Sequence, residues 1–237
     1  MTTPTLLQAL SPLDGAALAL FVLVWFAYEP MLKAAARGRN VINTDMTVIR
    51  GAWMANMAKR DNRFMDSQLL GHVLNSASFF ASSNLILIAA AAGALFGGEN
   101  TFRSASSLLV LKTSSRLLFE AQLGLVLLAL ARGLLDFIWS IRQMNYCLAT
   151  MGAAPDGGEP EMQAAYGAAA TRLLNPALSS FNTGVRGYYF ALAAAAWMFG
   201  AGAFITATLG AVALLAWRQR ASPAAGAIRD IRRLLER

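Results

Sequence analysis

The run from Gly187 to Trp217 passes 31 positions without a charged side chain, and a stretch of that length restricts the environment the chain can occupy. A bilayer core about 30 Å thick asks for about 20 helical residues. Three other runs meet that length. The first, Leu13 to Leu32, is broken near its end by Glu29 and Pro30; Val73 to Gly98 has 26 residues without a charge; Leu117 to Ile141 carries Glu120, Arg132 and Asp136. Together they predict an all-α, polytopic membrane protein. Its single domain is a four-helix transmembrane bundle with helices at 13–32, 73–98, 117–141 and 187–217, long polar loops at 33–72 and 142–186, and a basic C-terminal tail at 218–237. At 1.5 Å per residue the fourth run is about 46 Å long, so it must tilt, project into the headgroups, or bend at Gly200 and Gly202.

Composition agrees, since 57% of residues are hydrophobic and 14% charged, against about 45–50% and about 25% in soluble domains. The 20 Lys and Arg outnumber the 13 Asp and Glu and collect between the apolar runs, which predicts contact with membrane lipids and no nucleic-acid partner. One cysteine, Cys147, excludes an internal disulfide, and the single histidine, His72, leaves no recognisable transition-metal set. No metal or cofactor is expected. The chain has no phosphate-cradling glycine loop, no Gly-x-Ser-x-Gly elbow and no His-Glu-x-x-His helix, so no enzyme is expected either. Residues 1 to 12 hold no Lys or Arg, so the first run is expected to remain as a helix and not be removed as a signal peptide.

The first connection, "NTDMTVIRGAWMANMAKRDNRFMDSQLL", opens with Asn43, Thr44 and Asp45, good N-cap types, and sets Met46, Ile49, Trp53, Met57 and Phe64 at near-helical spacing. It reads either as an interfacial amphipathic helix or as a solvated helix covering the other loop. The second contains the turn "APDGGEPE" and a weakly amphipathic run from Glu161 to Leu174, expected to end at Pro176. The expected architecture therefore places amphipathic helices in both long loops.

Zero basic residues before the first run and seven after it put the first loop in the cytoplasm of an inner-membrane, multi-pass protein. Four crossings then leave both termini outside. The six Arg of the C-terminal tail argue the other way, and all connections together give ten basic residues against nine.

Three motifs, "RGAWMANMAKRDNRFMDSQ" (Arg50 to Gln68), "SIRQMNY" (Ser140 to Tyr146) and "SFNTGVRGYYFALAAAAW" (Ser180 to Trp197), resemble an uncharacterised family of bacterial and plant multi-pass membrane proteins, domain-of-unknown-function family 599. The similarity extends over about Leu13 to Phe204 and implies the same long-loop, short-loop, long-loop layout. It places Arg50, Trp53, Arg142, Asn145, Tyr146, Asn182, Arg186, Tyr188 and Tyr189 at the family's characteristic positions. It supplies no activity.

Arg50, Arg142 and Arg186 all fall in the long connections or at their helix junctions, with Asp61, Asp66, Asn145 and Asn182. They are expected either to form one basic layer that meets an anion or lipid headgroup, or to staple the loops by pairing with Asp61, Asp66 and Glu29. Arg132 and Asp136, four apart on one helix, share a face expected to look inward, toward the bundle or a wet crevice, with Glu120 nearer the opposite end. The two charges read as part of an ion path, as an internal ion pair that holds the bundle together, or as a sign that this helix never faces lipid. Small residues at four-residue spacing, Ala89, Gly93 and Gly97, Ala196 with Gly200, and Thr206 with Gly210, let helices approach closely and point to a homo-oligomer or a membrane-complex partner. The expected function is an oligomeric channel or transporter for a small, anionic solute. The alternative is a structural or accessory subunit packed against a larger membrane complex.

Overall fold

The computed structural model describes residues 10–35, 41–108, 112 and 115–236. Arg37 and Arg39 of the basic first connection lie outside the described residues. Those described form eight α-helices: α1 (Pro12–Ala35), α2 (Ile42–Lys59), α3 (Phe64–Phe96), α4 (Gly98–Ser106), α5 (Arg116–Gly152), α6 (Pro160–Ala195), α7 (Ala201–Arg220) and α8 (Pro223–Leu235), with a 3-10 turn at Ala196–Phe199. Four stretches are long and apolar enough to cross a membrane: Pro12–Met31, Phe64–Phe96, Arg116–Gly152 and Ala201–Leu235, the last covering α7 and α8. On α3 the large apolar side chains Phe79, Leu85 and Ile86 are exposed, as they must be where the surrounding medium is hydrocarbon. The chain is an all-α integral membrane protein.

Two compact units divide the chain. The first comprises Met1–Met31, Ser83–Gly133 and Val185–Leu215; the second comprises Leu32–Ser82, Leu134–Gly184 and Ala216–Arg237.

In the first unit an aromatic cluster organises the core. Phe21, fully buried, meets Trp25, Phe190 and Phe204, and the Trp197 ring stacks on Phe204 with centroids 5.1 Å apart. Phe190 and Phe204 flank the 3-10 turn and yet touch the same Phe21, so the chain reverses between them. The 187–217 run, expected as one crossing, is therefore two helices. Gly200 makes the break, with φ 101° and ψ 165°, a conformation open essentially to glycine alone. Its N–H donates to the Trp197 carbonyl at 2.9 Å, and the Lys112 N–H donates to the Met198 carbonyl at 3.0 Å. The indole of Trp197 donates to Asp14 Oδ1 at 2.8 Å, while Gln122 Nε2 donates to the Trp197 carbonyl at 3.1 Å. Elsewhere α5 and α6 cross closely, since a Cβ on Gly187 would lie 3.2 Å from Gly133 Cα.

In the second unit the loops expected at 33–72 and 142–186 are mostly helix. Helix α5 runs on to Gly152 and α6 begins at Pro160. Met54, Met57, Leu70, Met144, Cys147, Met151, Leu174 and Ala177 form a core that holds α2, α3, α5 and α6 together. Burial explains why α6 continues through Pro176, where the sequence predicts a stop. An interior proline costs about 3 kcal/mol, but Leu174, Ala177 and Leu178 around it are all buried, and Ser140 Oγ donates to the Ala177 carbonyl at 2.6 Å. The N-cap of α2 is Val41, with no side-chain hydrogen bond. Asp45, read as a capping residue, is buried instead.

Helix α8 folds back onto α2. Arg232 Nη1 donates to Asp45 Oδ1 at 2.6 Å, and the Asn43 N–H donates to Gln219 Oε1 at 3.3 Å. This packing puts the C-terminal tail on the same side as the first long connection. The expectation that the C-terminus lies opposite the loops took the 187–217 run as one continuous helix, which it is not.

Candidate functional site

The second unit contains a buried cation with an unmet hydrogen bond. Its position follows from the packing of α2 on α6, which run antiparallel. Asn182 Nδ2 donates to Asn43 Oδ1 at 2.9 Å near one end, a Cβ on Gly51 would sit 3.6 Å from Thr171 Cγ2 further along, and one on Gly167 would lie 2.9 Å from Ala55 Cα. Gly167 thus lets the two backbones come together. Between the Asn43–Asn182 bond and the Gly51–Thr171 contact lie Arg50 on α2 and Asn175 on α6.

Arg50 is 7% exposed. Its Nε is buried without a hydrogen-bond partner among the described residues, and so is Asn175 Oδ1. Burial pushes the Arg50 guanidinium down to about 10, so it remains a cation at neutral pH. Three carboxylates of the same unit are engaged elsewhere: Asp45 by Arg232, Asp156 by Arg63 at 2.7 Å, and Asp66 by the Trp53 indole at 2.7 Å and by Arg60. A buried charge without a counter-charge is costly. A guanidinium so placed suits an oxoanion, whose planar or tetrahedral oxygens accept from its fork of N–H groups.

The remaining sequence-predicted positions do not gather around Arg50. Arg186, in the first unit, is buried, and its Nη2 lies 2.8 Å from Glu29 Oε2. For that residue the stapling alternative holds. Arg142 is exposed on α5, where its Nε donates to the Tyr146 hydroxyl at 3.3 Å; Asn145 beside them is exposed. Glu120 pairs with Arg116 at 2.7 Å, and Glu99 pairs with Arg103 at 2.9 Å, in the first unit. Arg132 is exposed and Asp136 half-buried, so the inward orientation expected for their face is not met by Arg132. The reason is helical phase, because Ala129, Gly133 and Phe137 take the buried side of α5.

The first and third motifs acquire structural reasons. In Arg-x-x-Trp, Arg50 is buried and Trp53 holds Asp66. In Asn-x-Gly-x-Arg, Asn182 holds Asn43, Gly184 leaves room for the Phe137 ring, which a Cβ would approach to 2.7 Å, and Arg186 holds Glu29. Tyr188 packs on Ala129, Leu130 and Ala191, while Tyr189 is half-buried. Sequence reasoning missed Asn175 and the Asp45–Arg232 pair. Asn175 carried one signal, a polar residue before a proline on an otherwise buried helix face; the pair carried none.

The first unit also holds an apolar groove of about 520 Å³ lined by Leu18, Leu125, Leu128 and Trp197 among others. Its lining offers hydrocarbon and no path for an ion.

The sequence profile of the family described as "Protein of unknown function, DUF599" matches residues 16–224. The chain belongs to that family. No curated protein and no solved structure matches it.

Proposed function

We propose that this member of the DUF599 family is an oligomeric inner-membrane channel or transporter for a small anion, with Arg50 as its recognition residue. The reading rests on one observation, a guanidinium 7% exposed whose buried Nε has no partner among the described residues. The ligand class is an oxoanion such as a carboxylate or phosphate. Arg142, in the same unit, adds positive charge at the surface. Arg132, Asp136 and Glu120 are secondary candidates for a path formed between protomers, since the groove at Leu125 and Trp197 is apolar.

Proteoliposome flux tests the reading. Purified protein should release or exchange small carboxylates, phosphate or chloride, and Arg50→Gln should abolish this while the protein stays folded. Flux that is absent for every anion, or unchanged in Arg50→Gln, removes the proposal.

The second reading, an accessory subunit, is favoured by the small-residue face at Ala89 and Gly93, both exposed and with open space around Gly93. A protein that carries no anion but co-purifies with another membrane protein through that face would establish it.

A further inference from the structure

Helix α8 is amphipathic in an unusual sense: its polar side is docked and its apolar side is bare. Ala225 and Arg232 face α2, with Arg232 bound to buried Asp45 at 2.6 Å. Ile231, Leu234 and Leu235 are 47%, 66% and 47% exposed. Leucine and isoleucine on a single stripe, left uncovered by the protein, need another cover.

Chain continuity says what is near. Helix α7, long and apolar enough to span a membrane when taken together with α8, ends at Arg220, and α8 starts at Pro223 with Ser222 as its N-cap. Two residues cannot carry α8 far from the point where α7 leaves hydrocarbon. Trp217, 52% exposed, sits in the last turn of α7, where a tryptophan anchors a helix at the headgroup level.

Charge says which lipid. Arg218 and Arg220, both exposed, end α7 where α8 begins, while Arg229 and Arg233 lie on the side of α8 turned away from the apolar stripe. The contact between α2 and α8 brings Arg218, Arg220, Arg229 and Arg233 into one unit with Lys59, Arg60 and Arg63 of the first connection. A basic excess of this kind is what the positive-inside rule associates with the cytoplasmic face, where the leaflet carries anionic lipid.

We propose that α8 is a lipid-docking helix, inserting Ile231, Leu234 and Leu235 into the cytoplasmic leaflet while Arg218 and Arg220, at the junction of α7 and α8, meet anionic phospholipid headgroups. This surface is separate from Arg50 and does not depend on transport.

The test uses the full chain in nanodiscs. Leu235→Cys and, as a control on the opposite side, Arg233→Cys are labelled with a polarity-sensitive fluorophore; Cys147 is buried and stays unlabelled. In discs of phosphatidylcholine with phosphatidylglycerol, the label at 235 should emit to the blue of the label at 233, and Arg218→Glu with Arg220→Glu should diminish the shift. Equal, water-like emission at both positions in every lipid overturns the proposal. So does a blue shift at 235 indifferent to lipid charge, and so does one that appears only with two copies per disc, which would assign the stripe to a second copy.

Discussion

Asp45 and Arg232, 187 residues apart in sequence, share a 2.6 Å hydrogen bond, and Asp45 is 2% exposed. The pair locks the C-terminal helix to the helix of the first connection. Arg232→Ala should strand a buried carboxylate and destabilise the protein by about 3–5 kcal/mol. The double replacement Asp45→Leu with Arg232→Met should recover most of that loss. Unfolding of each variant in detergent, followed by circular dichroism, measures both.

The proposed cytoplasmic docking of α8 also predicts sidedness. A C-terminal fluorescent fusion should glow and a C-terminal alkaline phosphatase fusion should be inactive, because the tail shares the face of the basic first connection. An introduced cysteine at Asp61 should react from the same side as one at Arg233. Reaction from opposite sides would contradict the α2–α8 packing.

Arg50→Met should have two opposed effects. Without ligand the variant should be more stable by about 1–4 kcal/mol, because a buried charge with no counter-charge among the described residues is replaced by an apolar chain of similar length. Stabilisation by added phosphate or carboxylate should vanish. The pH dependence follows from the depressed guanidinium, about 10 when folded and higher when unfolded. Between those values the unfolded chain binds the extra proton, so this group favours folding more as pH rises. Anion binding, which needs the charged form, is unaffected by Arg50 titration between about pH 6 and 8 and is lost as pH passes about 10. Thermal-shift titrations at several pH values check the second effect.

Gly200→Ala should destabilise the hairpin by about 1–3 kcal/mol, the cost of forcing a side chain into its backbone region. Gly202→Ala, with open space around it, should be nearly neutral. Thermal denaturation of the pair separates a conformational effect from simple loss of flexibility.

Gly93→Leu with Ala89→Leu should leave the protomer folded, as both positions are exposed, and should dissociate a homo-oligomer built on that face. Gly97 is a poor test site, because a Cβ there would fall 2.0 Å from Thr101 Oγ1. Native mass spectrometry reads the outcome.

The membrane character and the helical class were legible because apolar run length is itself the physical requirement for crossing hydrocarbon. The amphipathic helix of the first connection was legible from spacing, yet its role was not, because periodicity cannot say which partner covers a face. Trp217 and Gly200 show the limit most clearly: both lie in one uncharged run, and hydropathy is blind to the reversal that a single positive φ introduces. The Arg motif residues stood out from their neighbours, but only packing separates Arg186, which has Glu29, from Arg50, whose Nε has no partner among the described residues. Pair formation is a property of three dimensions, and residues such as Asp45 and Arg232 give no local sign of it.

The bond from the Trp197 indole to Asp14 joins positions 183 apart, and it has a consequence for how the protein is made. Asp14 and Phe21 lie on α1, whereas their partners Trp197, Phe190 and Phe204 are translated much later, with the hairpin. Helix α1 therefore waits, with its aromatic face uncovered, until the hairpin has been made. A nascent chain halted before the hairpin has an α1 whose aromatic face lacks these partners.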